Sequence, residues 1–171
     1  MILEKYKINK KTLALLPVRD VNCQTLVIRM DNDNYVQKDP FEVIKESCEK
    51  YLATYEGRRK VVKNQLGYQQ KVVIPVWPRG NLFFFPTRSP KSPDNCWING
   101  LQIDRLHETG EKGRTKIEFI NGRKITVDVS KYVLNRQIER TFRVHFKYTQ
   151  EIKELLNALS PYDRSIMESI I

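Results

Sequence analysis

Four cations within six positions, Arg58, Arg59, Lys60 and Lys63, form the densest chemical feature of this 171-residue chain. Guanidinium groups grip phosphate in a planar fork and ammonium groups meet it as point charges, so such a run suits a polyanion. The charge around it has the same bias. Residues 56–91 hold 8 Lys/Arg against 1 Asp/Glu and residues 111–147 hold 10 against 4, while residues 1–55 are nearly balanced at 9 against 8. A net charge of +10 concentrated in two blocks points to nucleic acid as the leading partner. In the second block Arg136, Arg140, Arg143 and Lys147 recur at helical spacing. That stripe is either a solvated helix face or a row of phosphate contacts, and its arginine content favours the second. Arg88 and Lys91 sit in Arg88-Ser-Pro-Lys-Ser-Pro-Asp-Asn95, a loop by composition, where a cation is free to enter a narrow A·T minor groove.

Other chemistries find little support. His107 and His145 are far apart and lie in no metal or nucleophile motif, and neither a GxxxxGK[ST] nor a GxGxxG phosphate loop occurs. Cys23, Cys48 and Cys96 lack CxxC spacing and are odd in number, which argues against a zinc site and a secreted disulfide framework. No enzyme activity, cofactor or metal is expected. The N-terminus has no signal-peptide pattern, and no apolar run reaches the roughly 20 residues of a membrane helix. The expected location is the cytoplasm, on the nucleoid.

These residues must be positioned by a frame of strands and two helices. Short strands are expected over Tyr6–Ile8, Thr12–Leu16, Thr25–Met30 and Tyr35–Val36. Asp39-Pro40 then supplies an N-cap and a first-turn proline, so a helix runs over about residues 40–55, with Phe41, Ile44, Cys48, Tyr51 and Leu52 inward and Gly57 as its stop. That places Arg58 to Lys63 in a loop. Strands follow at Tyr68–Trp77 and Asn81–Thr87, the latter ended by Pro86. Leu82-Phe-Phe-Phe85 is either a buried strand or a platform on which single-stranded bases stack. Trp97–Leu106 is a half-buried strand bent at Asn99-Gly100, and Lys116–Val129 is a hairpin whose Asn121-Gly122 suits a type I′ turn. From Ser130 the period turns helical, with Leu134, Ile138, Phe142, Phe146, Thr149, Ile152 and Leu156 as the inward stripe. The fold expected is α+β, mostly antiparallel sheet and hairpins, with one helix near residues 40–55 and a long C-terminal helix near residues 130–158. It forms a single DNA-binding domain over residues 1–171, with residues 160–171 as a mobile tail.

Several segments in order resemble the ComK competence transcription factors. They are Tyr6-Lys-Ile-Asn with Leu13-Ala-Leu-Leu-Pro17, Ser47-Cys48 with Tyr55-Glu-Gly-Arg-Arg59, and Leu82-Phe-Phe-Phe-Pro-Thr87 with Trp97-Ile98, then Ile117-Glu-Phe-Ile-Asn-Gly122 and Gln137-Ile-Glu-Arg-Thr141. The resemblance implies a DNA-binding activator of DNA-uptake and recombination genes in low-GC Gram-positive bacteria. It would act on AT-rich promoter DNA, on paired A-rich and T-rich tracts reached largely through the minor groove, as a dimer or tetramer. It also implies RNA polymerase and an adaptor of a AAA+ protease as partners, although the chain is short where family members carry the tail that the adaptor captures. Gly57, Arg58, Arg59, Pro86, Thr87, Gln137, Arg140 and Thr141 fall on motif positions. The expected DNA contacts are therefore Arg58, Arg59, Lys60, Lys63, Thr87, Arg88, Lys91, Arg136, Gln137, Arg140 and Arg143. The alternatives are a single-stranded DNA or RNA module that uses Phe83 and Phe85, and a protein-interaction adaptor with a basic surface.

Overall fold

The frame that holds the basic segments in place is a seven-stranded sheet. The computed structural model describes residues 1–170. The strands are β1 (Ile2–Leu3), β2 (Thr12–Pro17), β3 (Thr25–Arg29), β4 (Asn34–Val36), β5 (Ile74–Trp77), β6 (Leu82–Pro86) and β7 (Trp97–Asn99). Their order across the sheet is β1-β4-β3-β2-β7-β6-β5. All neighbours are antiparallel except the short β1–β4 pair. A second sheet holds β8 (Ile103–Glu108), β9 (Thr115–Phe119) and β10 (Lys124–Val127), with β9 in the middle. The helices are α1 (Pro40–Lys50), α2 (Tyr55–Leu66), α3 (Lys131–Ala158) and α4 (Pro161–Ile170). The chain is thus α+β, as its patterning implied.

The large sheet is covered on both faces. Strand alternation divides Leu82, Phe84 and Pro86 from Phe83 and Phe85, yet every one of the five is buried. On one face Trp97, paired with Pro86, stacks with Phe41 of α1 at 6.4 Å and meets Tyr55 of α2 edge-on at 6.3 Å. On the other, Phe83 lies edge-on to His145 and Tyr148 of α3 at 5.3 and 5.9 Å. The small sheet is tied to the large one by Arg123, which donates to the Arg29 carbonyl and pairs with Asp33.

Helix α1 begins as its sequence dictates: Asp39 accepts from the Glu42 N–H at 3.0 Å and Glu42 accepts from the Asp39 N–H at 3.1 Å, a complete capping box before Pro40. It ends earlier than expected. The Leu52 N–H donates to the Glu49 carbonyl and the Ala53 N–H to the Cys48 carbonyl, a Schellman closure with Leu52 in the left-handed region at φ 61°. Leu52 is 97% exposed and forms no part of the inward face. A new helix then starts at Thr54, whose hydroxyl accepts from the Gly57 N–H at 3.0 Å. Gly57 is therefore a first-turn residue and not a stop, and the basic run is helical, with Gly67 as the C-cap.

Three smaller differences have local causes. Tyr6–Ile8 is irregular, because the Ile8 N–H is taken by the Ser47 hydroxyl and not by a strand partner. The strand read from Tyr68 begins only at Ile74, after a left-handed Lys71. The Asn121-Gly122 hairpin closes with a Gly122 N–H to Phe119 carbonyl bond, and only Gly122 has positive φ (88°). That is a three-residue loop with a left-handed glycine, in place of a type I′ pair.

Helix α3 spans the expected residues with Ser130 as N-cap, but its inner face is rotated. The buried stripe is Leu134, Gln137, Thr141 and Val144. Phe142 and Phe146, expected inward, are 52% and 62% exposed. Residues 161–170, read as a tail, form α4, tethered where Arg164 donates to the Leu156 carbonyl at 3.0 Å.

Candidate nucleic-acid interface

Helical spacing sets how the α2 cations can act. Tyr55 and Val62 are buried and Leu66 packs beneath them, so this stripe faces the core. Arg59, Lys60 and Lys63 then fall on one flank of it, and Arg58 on the other with Val61 and Gln65. The four do not make one fork. Arg58 is half-buried, and its Nε is enclosed without an acceptor among the described residues. It works partly within the fold, close enough to Cys48 to oppose the burial that pushes that thiol up to about 12. Arg59, Lys60 and Lys63 have no carboxylate within 4.0 Å among the described residues. Glu56 lies one turn before Arg59 and Lys60 on the same flank without pairing with them, so the flank holds three cations against one carboxylate on a rigid helix.

Helix α3 stands beside α2 across a cleft of about 240 Å³, lined by Val61, Leu66, Val144 and Tyr148 among others. Its cations keep their common stripe but differ in freedom. Arg140 donates to the Gln70 carbonyl at 3.0 Å and lies over the Tyr68 ring at 4.6 Å. Arg143 pairs with Glu139 at 2.7 Å, an exposed contact that a phosphate could replace at little cost. Arg136 is exposed over the Tyr132 ring and has no carboxylate partner among the described residues.

Two expected contacts are interior. Gln137 is 2% exposed and its Nε2 donates to the carbonyls of Lys71 and Pro86, at 2.9 and 2.8 Å. Thr87 is 1% exposed, and its hydroxyl accepts from the Cys96 N–H at 3.0 Å. Both are brackets: Gln137 pins α3 to the end of β6, and Thr87 closes the loop that carries Arg88 and Lys91. In that loop Arg88 is exposed and donates to the Asp128 carbonyl at 2.7 Å, in a cleft it shares with the carboxylates of Asp94 and Asp128. Lys91 is exposed and unpaired among the described residues. The loop is thus less electropositive than its own composition suggests, because Asp128 arrives from a distant strand end.

Phe83 and Phe85 are fully buried, so they stack on the core and offer no platform to bases. The remaining reactive groups are also absorbed. Cys96 is pushed up to about 11 by burial, against the Thr87 hydrogen bond, so Cys48 and Cys96 stay neutral thiols near pH 7. His107 holds Glu118 at 2.5 Å, and His145 packs against Phe83. Among the described residues no group of three or more His, Cys, Asp or Glu could hold a metal, and no helix is long and apolar enough to cross a membrane.

Sequence inspection missed one further cluster, at the corner between α1 and α2. The rings of Tyr51 and Trp77 stack at 4.6 Å, Lys10 lies over Trp77 and Lys50 over Tyr51. The residues come from three separate segments, so only folding brings them together.

The family model described as ComK protein matches residues 3–153 of the chain. The competence transcription factor of Bacillus subtilis (strain 168) is 28% identical over 151 residues, a stretch that covers 88% of this chain and 78% of that protein. No solved structure matches.

Proposed function

The chain belongs to the ComK family, and from that premise we propose that it is a competence transcription factor that binds A/T-rich duplex DNA largely through the minor groove. The observation that carries this reading is the flank of α2: Arg59, Lys60 and Lys63 on a rigid helix, with no carboxylate within 4.0 Å among the described residues. A compact helix-turn-helix that would fill the major groove with one recognition helix is not what α1 and α2 form. Their joint is closed by a Schellman turn, and both are packed on a sheet. Lysines and arginines drawn to the strong negative potential of narrow A-tracts suit the same surface. Because the minor groove separates A·T from G·C and little else, one subunit carries limited specificity, and two copies at fixed spacing on paired tracts would multiply it.

The test is an anisotropy titration of a labelled duplex with an A-tract and a T-tract, set against a GC-matched duplex and single strands. Salt-sensitive binding confined to the A/T duplex supports the reading, and equal binding to all three leaves a general polyanion binder. Replacing Arg59, Lys60 and Lys63 together by Ala should lower affinity about tenfold or more. It should also flatten the slope of log affinity against log salt by about one for each phosphate that these side chains neutralise. A triple variant with unchanged slope removes α2 from the interface.

A further inference from the structure

We infer that Leu52, at the corner between α1 and α2, is an apolar wedge that enters the minor groove and partly unstacks one base step, with Lys10, Lys50 and Arg79 holding the flanking phosphates. This rests on the DNA-binding reading and adds a residue, a surface and an action that the reading does not contain.

The starting observation is a conflict between residue and backbone. Leu52 occupies the C′ position of the Schellman closure at φ 61°, where glycine is at ease and a side chain with a Cβ is strained. Nothing in the fold repays that strain, since the side chain is 97% exposed. A leucine that helps neither its turn nor the core is explained by what it touches outside the monomer. Apolar side chains of this size are those that proteins insert between base pairs from the minor groove.

The surroundings select DNA as the occupant. Next to Leu52 in the chain, Tyr51 stacks on Trp77 with ring centroids 4.6 Å apart and planes nearly parallel at 5°. The Tyr51 hydroxyl donates to the Ile8 carbonyl at 2.7 Å, and a Cβ on Gly80 would lie 2.0 Å from the Trp77 ring, so chain packs against both. Lys10 stands 5.6 Å over the Trp77 ring and Lys50 5.2 Å over the Tyr51 ring, while Arg79 is exposed on the turn that carries Gly80. None of the three has a carboxylate within 4.0 Å among the described residues, and exposed Glu49 offsets one of them at most. An apolar tip on a corner with more cations than carboxylates is complementary to a groove floor bounded by two phosphate rows. Leu52 also lies three residues before α2, so the wedge and the α2 cations would engage one duplex together.

Three substitutions separate the wedge from a structural role. Leu52→Gly relieves the strained turn and removes the tip, Leu52→Asn keeps the turn with a polar side chain that tolerates left-handed backbone, and Leu52→Met keeps an apolar tip. The probe is an A/T duplex with 2-aminopurine placed at successive adenines, whose fluorescence rises when its step unstacks. The wild-type protein should raise fluorescence at one position. Leu52→Gly and Leu52→Asn should abolish that rise and weaken binding about tenfold, with urea midpoints equal to or above wild type, and Leu52→Met should restore both signals. Wild-type affinity and fluorescence in Leu52→Gly, or no rise at any position with the wild-type protein, overturns the wedge and leaves duplex binding intact. A wild-type protein that leaves the A/T duplex free overturns both.

Discussion

At the residue scale, two of the motif positions that looked most specific, Gln137 and Thr87, are interior and build the fold. Gln137 and Thr87 were legible as special but not as interior, because a polar side chain on a helix or strand end carries no local sign of which way it faces. The decisive information is the two carbonyls that the rest of the fold delivers to Gln137, at Lys71 and Pro86. Removing the amide leaves the buried Pro86 carbonyl and the partly buried Lys71 carbonyl without that donor. Gln137→Leu should therefore lower stability by about 2 kcal/mol, measured by urea unfolding, while A/T duplex affinity per folded molecule stays near wild type. A variant that unfolds like wild type and binds weakly would make Gln137 a DNA contact after all. Arg58 warns in the same way: its enclosed Nε makes it a poor probe of the interface, and Arg59, Lys60 and Lys63 are the cleaner test.

At the element scale, legibility followed how local the signal was. Asp39-Pro40 with Glu42, the Asn121-Gly122 loop and Ser130 each settle a boundary within four or five residues, and all three elements form there. The α2 helix was missed because Gly57 imitates a stop and only Tyr55, Val62 and Leu66 mark its inward face, too few to show a period amid four cations. The rotated face of α3 has a related cause, since Gln137 and Thr141 take inward positions while Phe142 and Phe146 stay outside. Apolar spacing alone must then select the wrong stripe. What starts α2 is the Thr54 hydroxyl on the Gly57 N–H, an interaction that Ala cannot supply. Thr54→Ala should cost about 1 kcal/mol and speed amide hydrogen exchange first in the opening turn of α2. Uniform exchange changes across the chain would mean that α2 has no separate start.

At the scale of the whole molecule, several carboxylates are placed where they fasten separate segments of the chain. Asp31 is held below the usual carboxylate range by the hydrogen bond from Arg29 and then that from Lys11. Burial raises Asp33, but Arg123, reaching across from the small sheet, and the backbone N–H of Arg29 together outweigh it and hold the group low. Glu46 is lowered by Lys38 and then Lys7, which join the N-terminal strands to α1, and Glu118 is lowered by His107 within the small sheet. Each folded pKa thus lies below its unfolded value of about 3.9 for Asp or 4.3 for Glu. The corresponding stability is fully present above those unfolded values and is lost as pH falls through the folded ones. Urea midpoints should hold from pH 8 down to about 5 and fall steeply below about 4. None of these four carboxylates lies on α2 or α3, so A/T duplex affinity should be flat over the range in which the protein is folded. A midpoint that already falls near pH 6 would assign the acid response to histidine, and the fastening role of these carboxylates would be withdrawn.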